Sequence, residues 1–145
     1  GCIDDYFKPS PQEAVECSYE EFVTYDYENY VPDTIVDCVE MDNYAIYIYT
    51  AVNEIKVAVL EMAEKNGQQL YKMWSLEDYS YDKIDSVFQF YDHLDIYKKS
   101  KVYYEFCFED AKIDTTAGYQ TKTYTITAFG KTQNYIFAYA EIPYE

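Results

Sequence analysis

The sequence predicts a mainly β (α+β) domain: an antiparallel sandwich or strongly curved sheet with an N-terminal helix and room for one further helix. Three observations carry that expectation. Apolar and polar residues alternate with a period of two over much of the chain beyond Thr34. Turn residues punctuate the alternation at short intervals, at Asp42-Asn43, Asn53-Glu54, Asn66-Gly67 and Gly130-Lys131. Finally, twenty of the 145 residues are tyrosine, whose apolar ring and polar tip suit half-buried pleated surfaces.

The elements follow in order. Ser10-Pro11-Gln12-Glu13 is a helix start: Ser10 can cap, Pro11 suits the first turn and Glu13 completes a capping box. Val15, Tyr19, Phe22 and Val23 continue at helical spacing, which predicts a helix over 11–23. Thr34–Met41 is β-rich. Tyr44–Thr50 is the strongest strand, since most of its residues are β-branched or aromatic. Ile55–Met62 and Leu70–Leu76 follow, joined through Asn66-Gly67, with Lys72 and Trp74 on the second of them.

The stretch 82–94 fits two periods. Ile84, Val87, Phe88, Tyr91 and Leu94 fall at helical spacing behind a possible Asp82 cap, whereas Phe88 and Phe90 alternate as in a strand; helix is the favoured reading. Val102–Glu109 alternates cleanly, with Val102, Tyr104, Phe106 and Phe108 on one face and Tyr103, Glu105, Cys107 and Glu109 on the other. Lys122–Phe129 and Gln133–Ile142 form the last hairpin, in which Tyr124, Ile126 and Ala128 oppose Thr123, Thr125 and Thr127. Residues 1–10 read as a leader or tether and 11–145 as a single globular domain.

The charge balance limits the partners. Formal net charge is −16, and every basic residue is Lys. Without Arg the chain lacks the bidentate fork that grips phosphate. A polyanion of this kind is repelled by nucleic acid and by anionic membrane surfaces. The acidic excess is concentrated in residues 1–43, which carry −11 of the total. A basic partner fits this field; so does a simple solubilising role.

The start Gly1-Cys2-Ile3-Asp4-Asp5 resembles the mature end of a bacterial lipoprotein, in which a Cys behind the cleaved signal carries the lipid. That resemblance implies an extracytoplasmic, lipid-anchored protein held at Cys2, with the leader as tether. The meander over 44–76, with its Tyr-rich strand, I-x-V-x-V strand, Asn-Gly turn and strand bearing Lys72 and Trp74, is similar to small exported β-domains of Gram-positive bacteria without known function. With Cys2 lipidated, Cys17, Cys38 and Cys107 remain; one disulfide among them is open, in any pairing, and no C-x-x-C spacing marks a metal or redox site.

Catalytic signals are weak. His93, between Asp92 and Asp95, is the single histidine and lacks a nucleophile motif. Asp78, Asp82 and Asp85, or Glu109, Asp110 and Asp114, could offer oxygens to calcium, but neither set follows the EF-hand loop. Four glycines and no G-x-G-x-x-G or P-loop argue against a nucleotide site. No cofactor is expected. The positive hint is aromatic: Tyr47 and Tyr49, Tyr103, and Tyr135 and Tyr139 could present rings to a protein or glycan partner. The expectation is therefore a non-catalytic cell-envelope binding or structural module. The alternatives are an acidic inhibitor or immunity-type protein for a basic partner, and a hydrolase built on a carboxylate pair.

Overall fold

A computed structural model of the chain describes residues 7–22, 31–79, 87–92, 100–109 and 118–143; for 18–22 and 87–92 it describes the backbone alone. The protein is mainly β, with one helix and two four-stranded antiparallel sheets among the described residues. The chain divides into two compact units, 1–78 and 79–145.

The first unit begins with helix α1 (Pro11–Phe22), and the Glu13 amide donates to the Ser10 Oγ cap at 3.2 Å. Strands β1 (Thr34–Glu40), β2 (Tyr44–Ala51), β3 (Glu54–Lys65) and β4 (Gln68–Tyr79) then lie side by side in chain order. A register shift between Ile35 and Asp37 bulges β1. Every residue of β2 is buried. One of its faces, Ala45, Tyr47, Tyr49 and Ala51, joins Ala58, Leu60 and Met62 of β3 and Tyr71 of β4 in a core closed by Ala14 and Val15 of α1. Small α1 residues let the helix approach the tyrosine rings. The opposite face, Tyr44, Ile46 and Ile48 with Ile55, Val57 and Val59, is buried too.

The second unit contains β5 (Val87–Asp92), β6 (Ser100–Phe108), β7 (Gln120–Ala128) and β8 (Lys131–Pro143), ordered β5-β6-β8-β7. The helix favoured over 82–94 is corrected for 87–92, which pairs with β6 from Val87↔Phe106 to Asp92↔Lys101; the rest of that stretch lies outside the described residues. The physical reason is tertiary. Aromatic residues fit either period, and an adjacent strand supplies the ladder hydrogen bonds that decide between them.

Among the described residues, three hairpins close through two-residue turns with positive φ at both positions: Val52-Asn53 (46° and 63°), Asn66-Gly67 (53° and 78°) and Phe129-Gly130 (57° and 74°). That is the type I′ geometry matching strand twist. Two turns therefore sit one residue earlier than Asn53-Glu54 and Gly130-Lys131. Val52 is an unfavourable occupant, because a β-branched side chain crowds the backbone at positive φ. Its amide is held by Asp33 Oδ2 at 3.0 Å and its side chain is exposed. Val52→Asn should stabilise the protein by about 1 kcal/mol, read as a higher urea midpoint at unchanged slope. An unchanged or lower midpoint would show that the valine's contacts outweigh its backbone strain.

Candidate functional site

The five tyrosines expected to display rings do not share an exposed surface. Tyr47 and Tyr49 are buried under α1, and Tyr135 and Tyr139 are buried on the inner face of the second sheet. Only Tyr103 keeps partial exposure. The alternation correctly assigns faces, but packing covers them. Tyr135 lies opposite Phe108 in the β6–β8 register and stacks on Phe106 at 5.4 Å between ring centroids. Tyr139 lies opposite Tyr104 and stacks on Phe137 at 5.4 Å. These rings bury large apolar areas and form the core of the second unit.

Among the described residues the exposed aromatic is Trp74 of β4, at 41 % of its surface. Its position is well determined by the chain around it. Lys8 and Tyr71 exchange backbone hydrogen bonds of 2.7 and 2.8 Å, which fastens residues 7–8 alongside β4. This brings Phe7 to Lys72. The Lys72 ammonium stands 5.8 Å from the Phe7 ring centroid and 5.9 Å from that of Trp74. A cation between two rings orients both and leaves the indole available at the surface. Lys72 and Trp74 are two residues apart on one strand, so their pairing is legible from alternation; the contribution of Phe7 is not.

Beside α1, a second polar group lies in the first unit. Tyr71 donates a hydrogen bond to Glu40 Oε1, and Cys38 lies opposite Tyr47 across β1 and β2. Burial, with Glu40 and Asp37 nearby, pushes the Cys38 thiol up to about 12. Burial also raises Tyr47, with Cys38 and Glu16 adding to it. Tyr71 is raised by burial and then by its Glu40 partner. All three stay protonated at neutral pH, so Cys38 is a poor nucleophile. The linkage sign is that the unfolded chain loses these protons at lower pH than the folded one. Stability should therefore be level up to about pH 8.5 and fall as pH rises toward 12, first through the thiol and then the phenols. Urea midpoints across that range check it, with Cys38→Ala expected to delay the onset; a profile level through pH 11 contradicts it.

Lys56 is a buried cation, 2 % exposed, with its ammonium 3.0 Å from Glu54 and 2.7 Å from Asp78. The two carboxylates are 41 and 43 % exposed. Here two acids share a lysine, instead of facing each other across a cleft as glycosidase chemistry requires. Among the described residues no group of three metal-ligating side chains occurs. Cys2, His93, Asp82, Asp85, Asp110 and Asp114 lie outside the described residues, and Glu109 is exposed. Cys17 is disulfide-bonded, whereas Cys38 and Cys107 are free thiols; a disulfide among these three, in any pairing, is thereby corrected. Cys107 is buried, with Sγ 3.8 Å from the Ile136 carbonyl.

No protein-family model, curated protein or solved structure matches the chain.

Proposed function

We propose that the chain is a non-catalytic binding module of the bacterial cell envelope, acting outside the cytoplasm, that engages a protein partner through Trp74. The observation that carries this reading is the exposed indole held beside Lys72 and Phe7. Exposed tryptophan on a fixed strand is the side chain best suited to anchor an interface, because its ring buries much area at little conformational cost. With four of the candidate tyrosines buried, recognition moves from them to this patch.

The disulfide at Cys17 supports an oxidising compartment. It also bears on the lipid at Cys2. A thioether sulfur forms no disulfide, and Cys38 and Cys107 are free, so a lipidated protein would carry Cys17 as a thiol. Alkylation without reductant in denaturant separates the two states. Labelling of Cys17 accompanies the lipid; its protection accompanies the disulfide.

Trp74 is the single tryptophan, so its emission reports on the patch directly. With Trp74 replaced biosynthetically by 7-azatryptophan, which is excited to the red of ordinary tryptophan, fractionated envelope proteins of the producing bacterium should shift that emission to the blue in the fraction holding the partner. Trp74→Ala should lose about 2 kcal/mol of binding to that fraction, roughly thirtyfold. Capture undiminished by this substitution overturns the reading.

A further inference from the structure

The four outer strands of the two sheets are not equally guarded. An outer strand exposes backbone donors and acceptors to any other strand, and proteins blunt such edges with bulges, charges, short lengths or covering segments. Here β1 carries a bulge together with Asp37 and Glu40. The edge of β4 is bridged by Lys8 and carries Glu77 and Asp78 close to its end. Strand β5 is six residues long. Strand β7 carries Lys122 alone among these devices, and no other strand among the described residues pairs with its outer edge. It runs nine residues, pairs with β8 without a register shift and contains no acid or proline.

The hairpin geometry says which groups of β7 face outward. In a two-residue type I′ hairpin the residues flanking the turn, here Ala128 and Lys131, form a hydrogen-bonded pair. Counting back, Ala128, Ile126, Tyr124, Lys122 and Gln120 direct their backbone groups to β8. Thr121, Thr123, Thr125 and Thr127 direct theirs away from it, and all four side chains are exposed. Thr127 and Thr125 also reach across the wet face to Thr132 and Asn134, each at 2.7 Å, which fixes their rotamers.

We infer that β7 is a self-association edge: two copies of the chain pair their β7 strands antiparallel about a two-fold axis at Tyr124, joining two sheets into one. Three observations select a second copy as the occupant. First, full overlap of the nine residues places Thr123 opposite Thr125 and Thr121 opposite Thr127, and each of these pairs consists of outward-facing residues able to exchange two backbone hydrogen bonds. Second, the facing side chains are threonine on threonine, a favourable cross-strand pair, while Lys122 meets Ile126 and not its own copy. Third, charge permits the approach here. A chain of net charge −16 repels its copy over most of its surface, but from Thr115 to Ala140 the sequence contains two lysines and no acid. This edge is independent of the Trp74 patch.

Sedimentation equilibrium of the full chain over a dilution series tests the inference. A monomer–dimer equilibrium is expected, tightened by added salt as the residual like-charge repulsion is screened. Thr125→Pro removes an outward N–H without touching the β8 ladder, and should weaken dimerisation more than about tenfold. The double variant Thr123→Glu, Thr125→Glu sets acids opposite acids and should abolish it, with circular dichroism unchanged. Amide exchange at Thr121, Thr123, Thr125 and Thr127 should slow as concentration rises. A chain monomeric at every concentration, or a dimer that survives both variants, overturns the assignment.

Discussion

Changing Glu54 and Asp78 together to their amides should cost about 3–5 kcal/mol of stability. The substitutions keep shape and remove both carboxylates nearest a lysine that is 2 % exposed. An ammonium taken out of water needs compensating anions close by, and amides supply dipoles in place of charge. Either single change should cost much less, since the remaining carboxylate stays within 3.0 Å. Lys56→Met should be tolerated, because both acids are exposed enough to hydrate once the cation is gone. Thermal and urea unfolding of the four variants gives the ordering. A double amide variant as stable as the Lys56→Met protein would show that Lys56 does not depend on this pair.

Phe106→Ala should be as damaging, at about 3–5 kcal/mol. Phe106 is fully buried and touches Tyr79, Tyr135 and Phe137, with ring centroids 5.9, 5.4 and 5.9 Å away. Those neighbours are large and themselves packed, so the vacated space collapses poorly. Phe106→Leu, which retains much of the volume, should recover most of the loss. Thr125→Ala on the exposed face of the same sheet should stay within about 0.5 kcal/mol. Equal losses for Phe106→Ala and Thr125→Ala would mean that the ring cluster does not organise this unit.

Where the sequence was informative, local chemistry was the reason. Asn66-Gly67 announces its turn because few residues accept positive φ at both positions, and the Thr-x-Thr-x-Thr run of β7 announces a face in water. Turn placement failed where that chemistry is absent: Val52 and Phe129 hold left-handed positions only because the flanking strands dictate them. The segment 87–92 fits a helix as well as a strand because its aromatics satisfy two periods, and the ladder with β6 that decides between them is a tertiary contact. Burial of the candidate tyrosines failed for a related reason. Alternation tells which residues share a side, but not what covers that side. The α1 residues that cover Tyr47 and Tyr49, Ala14 and Val15, are more than thirty positions away in sequence. Of the Trp74 patch, the strand pair was visible and the distant phenylalanine was not.

The three tight turns also order the events of folding. The hairpins β2–β3, β3–β4 and β7–β8 bring together residues adjacent in the chain, and such ribbons zip within microseconds. The pairing of β6 with β8 must bring Phe108 to Tyr135 across the whole of β7, and closing that span makes it the slow step of the second unit. Loosening the β6–β8 contact should therefore slow refolding, whereas relaxing the Val52 turn should chiefly alter the rate of unfolding. Stopped-flow refolding of Ala138→Gly and Val52→Asn would distinguish the two.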